Sequence, residues 1–166
     1  MNNLVAMQSQ DQDALLSKGE EGSNAHRYGF KINNLGLTYP TDMPAELINT
    51  PHVCSIPHAP KGVQGVINVR GHLVPVFDLN ILLYDANKPI TSHLFLVLGK
   101  GSSVVAIRIN DFPVLLGHVQ EGAVGDAVYR SCQLPVALQA YINTYFYTDA
   151  QVWLELDLVA FFSALK

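Results

Sequence analysis

The sequence predicts a mainly β protein, and three observations carry that prediction. From His26 onward the 166-residue chain breaks into many short apolar runs at even spacing. Turn residues separate the runs, the pattern of a barrel-type all-β protein. The composition is apolar-rich (49%) and charge-poor (14%), which favours a compact β-rich body over a solvated helical one.

The elements follow in order. His26 to Ile32 leads into Asn33-Asn34, a hairpin turn, and Leu35 to Tyr39 pairs back. Glu46 to Asn49 and Val53 to Ile56 read as short strands broken by Pro51. Gly65 to Arg70 and Leu73 to Leu79 form a hairpin across Gly71, a residue that tolerates positive φ. Pro75 cannot donate to a ladder, so its strand is expected to be an edge or to carry a bulge there. Leu79 to Leu83 reads as a helical turn or two. His93 to Leu98, Ser103 to Ile109 and Phe112 to Val119 are further strands, the last weakened by Pro113. Residues 120–140 are mixed, and Tyr141 to Thr148 with Val152 to Leu156 makes a last hairpin. Asp157 is placed to N-cap a closing helix, Leu158 to Leu165.

Length and charge exclude several classes. The chain fits one domain, residues 25–166, after a polar tail over residues 1–24 that has no apolar set able to support a core. That tail holds Asp11, Asp13, Glu20 and Glu21 against Lys18, while the rest of the chain is nearly neutral. No basic cluster exists to neutralise a phosphate backbone, so nucleic acid is not an expected partner. No run approaches a membrane span, so no membrane insertion is expected. The N-terminus lacks the basic and apolar regions of a signal peptide, so the chain reads as cytoplasmic. Two cysteines, Cys54 and Cys132, make no disulfide framework.

The most informative stretch runs from Gly65 to Leu79: Gly-Val-Ile-Asn-Val-Arg-Gly-His-Leu-Val-Pro-Val-Phe-Asp-Leu. Its polar trio, Asn68, Arg70 and Asp78, is more than a plain core hairpin needs. It resembles the signature hairpin of the CheW-like adaptor family, Gly-Val-x-Asn-Leu-Arg-Gly followed by an apolar run, Pro and Asp-Leu. The similarity runs without a gap from Glu46 to Asn68, is strong to Leu79 and weakens beyond Gly117. The resemblance implies two five-stranded SH3-like β-barrel lobes around a shared core, with short helices and a C-terminal helix. It implies a non-catalytic adaptor, without cofactor, that couples methyl-accepting chemoreceptors to a CheA-type histidine kinase. One surface would bind the kinase's regulatory domain; the groove between the lobes would bind the helical cytoplasmic tip of a receptor. The protein would then sit at receptor arrays through its partners. The Tyr141 to Trp153 stretch looks more like adaptors of the type IV pilus (twitching) systems than of flagellar ones.

The resemblance places Glu46, Gly65, Asn68 and Arg70 on the partner-binding surface, with Glu46 and Arg70 as neighbours. On their own, an exposed Glu and Arg would be an ion pair of about 0–1 kcal/mol. Gly65 is either a structural glycine or a point of close approach for a partner. Asn68 and Asp78 need hydrogen-bond partners if buried, and both are expected to bond loop backbone and pin the lobe junction. The chain departs from the family pattern at Pro44, which removes a backbone donor before Glu46, and at Asn80, where Arg is usual.

The enzyme-like candidates are weaker. His52, Cys54 and His58 cluster in sequence, but no orienting carboxylate and no ligand spacing accompany them, so neither catalysis nor a metal is expected. Gly99-Lys100-Gly101 lacks the third glycine and the helix of a nucleotide cradle. Tyr141, Tyr145, Phe146, Tyr147 and Trp153 read as the core of the last hairpin, with one or two faces exposed to a partner. A stand-alone module that binds only the kinase, an SH3-like peptide binder and a Cys54 enzyme remain as alternatives.

Overall fold

The computed structural model describes residues 27–86, 89–117, 119–122, 132–148 and 151–165; the tail expected over residues 1–24 lies outside them. Two sheets carry the described chain. The first, lobe 1, has the strand order β8-β1-β2-β11-β10-β9. Its strands are β1 (Arg27–Ile32), β2 (Leu35–Thr38), β8 (Val114–Leu116), β9 (Gln120–Gly122), β10 (Ile142–Tyr147) and β11 (Val152–Leu156). The second, lobe 2, has the order β3-β6-β7-β5-β4. It is built from β3 (Ala45–Asn49), β4 (Val63–Val69), β5 (His72–Phe77), β6 (Leu94–Leu98) and β7 (Val105–Ile109). Lobe 1 thus has six strands against the five expected, because the three-residue β9 forms within the stretch read as mixed and pairs with β10. Lobe 2 is a continuous insertion between β2 and β8 of lobe 1.

Period-two alternation places the core. Along β6, Leu94, Leu96 and Leu98 face a core shared with lobe 1, while Phe95 and Val97 face a second cluster on the other side of the sheet. A strand buried on both faces must be apolar throughout, as Leu94-Phe95-Leu96-Val97-Leu98 is. Lobe 1 contributes Phe30, Ile32, Leu37, Leu154 and Leu156 to the shared core. Helix α1 (Leu79–Tyr84) adds Leu79, α2 (Val136–Gln139) adds Leu138, and α3 (Leu158–Ser163) adds Leu158, Phe161 and Phe162. The Asp157 carboxylate accepts from Ala160 N at 2.9 Å, the cap expected from the sequence.

Two predicted strands shrink. Val53 to Ile56 reduces to one bridge, Cys54 to Val66, because Pro51 and Pro57 flank it without donors. Phe112 to Val119 reduces to β8, which starts just after Pro113. Pro75 takes a third solution. Its strand β5 has neighbours on both sides, but the pairing with β7 covers only Val76 and Phe77. Opposite Pro75 stands Val66, whose N–H and C=O both bond Cys54, so the Val66–Pro75 pair exchanges no ladder bonds and the missing donor costs none.

Candidate partner-binding surfaces

The β4–β5 hairpin closes at Val69 opposite His72, which leaves Arg70 and Gly71 as a two-residue turn. Both have positive φ, +51° and +89°, the backbone that matches the twist of the strands it joins. Arg70 therefore belongs to the turn and not, as the sequence suggested, to the strand end. Asn68 is exposed, and its Oδ1 accepts from Gly71 N at 2.8 Å, stapling the turn from the strand below. From that turn the Arg70 side chain reaches β3, where Nη2 donates to Glu46 Oε1 at 3.0 Å. β3 and β4 are the two end strands of the lobe 2 sheet, so the ion pair ties its open ends together. Arg70 remains 79% exposed and Glu46 38%, so the guanidinium stands in solvent while the carboxylate is partly covered. Pro44 does not impair β3: the pairing with β6 begins at Ala45, and the Pro44 carbonyl accepts from Gly99 N at 3.1 Å.

Gly65 has an internal reason to be glycine. It is buried at φ +143°, and a Cβ there would overlap the Cys54 carbonyl oxygen. The side on which a partner would approach is filled by this chain's own Cys54–Ser55 backbone. Asp78 is fully buried and N-caps α1: Oδ1 accepts from Asn80 N at 2.9 Å and Ile81 N at 3.3 Å. Its Oδ2 accepts from Gln64 Nε2 at 2.9 Å and Ile90 N at 2.6 Å, so both Asn68 and Asp78 bond loop backbone as expected, but Asn68, exposed at the lobe 2 hairpin turn, does not pin the lobe junction. Arg108 Nη1 donates to the Ile90 carbonyl at 3.1 Å; burial lowers its pKa and the Asp78 carboxylate opposes that shift.

Two concave surfaces flank this hairpin and β3. A groove of about 1160 Å³ runs between the hairpin, the turn Gly101–Ser103 and α3, lined by Glu46, Arg70, Leu73, Val104, Val159 and Leu165 among others. Leu73 is its most exposed apolar wall, at 72%. A second cleft of about 500 Å³ lies between the lobes, with Tyr28 and Tyr39 of lobe 1, Leu47 and Leu96 of lobe 2, and Phe112. Phe112 is 68% exposed. Burial, with Tyr28 beside it, pushes the Tyr39 phenol up, so it stays neutral at physiological pH. Glu46 lines both surfaces. Sequence reasoning did not single out Leu73, Tyr28 or Phe112; the available signal was a bulky apolar residue next to a turn, which by itself is ordinary. His52, Cys54 and His58 are all exposed, and no group of three potential metal ligands occurs among the described residues.

This arrangement of two interleaved sheets and a signature hairpin agrees with sequence comparison. The sequence matches the CheW-like domain over residues 28–166. The chain belongs to the CheW-like family. Among curated proteins it is 26% identical to Protein FrzA of Myxococcus xanthus over 108 residues, which cover 65% of this chain and 58% of FrzA. It is 27% identical to Protein PilI of Pseudomonas aeruginosa over 129 residues, 76% of this chain and 68% of PilI. Its fold is similar to that of the scaffolding protein TtCheW from Thermoanaerobacter tengcongensis, with a TM-score of 0.58 at 16% identity, covering 81% of this chain and 89% of that one. The two SH3-like lobes are therefore the fold of the CheW-like family. No helix among the described residues is long and apolar enough to cross a membrane.

Proposed function

We propose that the protein couples methyl-accepting chemoreceptors to a CheA-type histidine kinase by binding both. The observation that carries this reading is the pair of concave surfaces meeting at β3: a groove beside the exposed Arg70–Glu46 hairpin, and a cleft between the lobes walled by Tyr28, Tyr39 and Phe112. The hairpin, through Arg70 and Glu46, takes the regulatory domain of the kinase. Asn68 and Gly65 serve that surface from within, by holding the turn and the strand in shape. The cleft sets the rings of Tyr28, Tyr39 and Phe112 beside Glu46, which offers the tip of a receptor's helical hairpin both apolar and polar contacts. Two ligands on one folded body constrain each other's geometry, so a conformational bias in the receptor reaches the kinase as a coupling free energy. The similarity to PilI supports placement in a type IV pilus (twitching) system, and the protein would reach receptor arrays through these partners.

The test is a binding titration against two purified fragments from the same genome, the kinase regulatory domain and a receptor cytoplasmic tip. Wild type is expected to bind both. Arg70→Glu should keep the fold and weaken the kinase fragment selectively; Phe112→Ser should weaken the receptor tip selectively. Binding of the kinase fragment alone would replace this reading with a stand-alone kinase-binding module. Binding of neither, by folded protein, would refute it.

A further inference from the structure

Where the family pattern has Arg this chain has Asn80, and its side chain bonds the other lobe. Asn80 Oδ1 accepts from Asn33 Nδ2 at 2.8 Å. Asn33 sits in the β1–β2 turn of lobe 1 at φ +54°, a backbone that Asn tolerates better than most residues. Asn80 lies in the first turn of α1, which follows directly from β5 of lobe 2. The bond therefore runs from one lobe to the other. The remaining lobe contact described above is apolar side-chain packing, which is strong but non-directional.

The same helix turn is wired to the hairpin strand. Gln64 Nε2 on β4 donates to Asp78 Oδ2 at 2.9 Å, Asn80 N donates to Asp78 Oδ1 at 2.9 Å, and Asn33 Nδ2 donates to Asn80 Oδ1. A continuous polar path thus joins the base of the hairpin to lobe 1. Its lobe 1 end is remote from the interlobe cleft: Asn33 lies five residues beyond the cleft residue Tyr28, about 17 Å along an extended strand.

We infer that the Asn33–Asn80 bond is a positioning link that sets the angle between the lobes and thereby couples the hairpin surface to the cleft. The inference rests on the two-surface reading proposed above. Neither residue lines the cleft or the groove, so removing the link leaves each surface intact and acts on their communication.

The test uses Asn80→Ala, which keeps the backbone cap on Asp78, and Asn33→Gly, which suits the positive φ without the amide. Each partner alone should bind within about twofold of wild type, because one exposed hydrogen bond is at stake. The factor by which the kinase regulatory domain changes receptor-tip affinity should fall on the order of two- to tenfold in either variant, with no further loss in the double variant. Unchanged coupling, or a wild type that binds both fragments independently, would overturn the inference. If wild type binds neither fragment, the function reading fails, and amide exchange still decides the link. Asn33→Gly in lobe 1 should speed exchange at Asn80, Ile81 and the β4 amides of lobe 2, and unchanged protection there would defeat it.

Discussion

Among the described residues, lobe 2 closes its inner face with six buried apolar side chains, Ile67, Val74, Val76, Phe95, Val97 and Ala106, whereas the corresponding cluster of lobe 1 has three, Leu116, Phe146 and Trp153. Lobe 1 makes up the difference with shape and charge. Trp153, only 4% exposed, lies with its benzo edge over Gly29 and Gly36, where any Cβ would overlap it. That placement turns the indole Nε1 away from the sheet, where it has no partner among the described residues. Arg27 stacks 3.8 Å from the centroid of the Phe146 ring and pairs with Glu155, with both side chains mostly buried. Lobe 2 has its own cation, Arg108, 4.8 Å from the Phe95 ring, but it caps a filled cluster instead of completing one. A filled cluster of interlocking apolar side chains fails when volume is removed; an aromatic laid on glycines fails when volume is added.

Four substitutions break or sharpen that contrast. Phe95→Ala should be the most damaging, at about 3–5 kcal/mol, because it empties the middle of the lobe 2 cluster; denaturant unfolding would show a lowered midpoint, and a loss below about 1 kcal/mol would mean that lobe 2 collapses to fill the space. Gly29→Ala adds one methyl group in lobe 1 and should cost about 1–3 kcal/mol by forcing Trp153 off its floor. Because Trp153 is the chain's only tryptophan, its fluorescence should shift in the same variant, and an unchanged spectrum would argue against the overlap. Trp153→Phe should be milder, within about 1 kcal/mol of wild type, since the lost volume is offset by removal of an unpartnered buried donor. Arg70→Gly should change stability least: the turn gains a residue suited to positive φ and loses only an exposed ion pair, so the melting temperature should hold while partner binding falls.

Much of lobe 2 was legible before the structure, and less of lobe 1. The five apolar residues of β6, the turn at Gly71, the strand pair around it and the first helical turns after Asp78 all follow from local chemistry. The neighbouring placement of Glu46 and Arg70 came from family resemblance, not from spacing: they are 24 residues apart and meet only because the sheet curls until its end strands approach. Gly65 shows the limit most clearly. Its glycine could have served a partner or the fold, and the Cys54 carbonyl, which the β4 edge bonds through Val66, decides for the fold. In lobe 1, the aromatics of the last hairpin were read as core. Tyr145 does join the shared core, but Phe146 and Trp153 form the separate cluster on the opposite face.

By itself the sequence determined the β class, most strand positions, the Asp157 cap and the family, because alternation, turn residues and a short motif act over a few residues. The tertiary structure alone decided that Arg70 stands in the turn with Glu46 across from it, that Asp78 gathers four donors, that Asn80 bonds the other lobe, and that Leu73 and Phe112 are left in the open. Those outcomes depend on which distant backbone comes within about 3 Å of a side chain, and no local pattern encodes that distance.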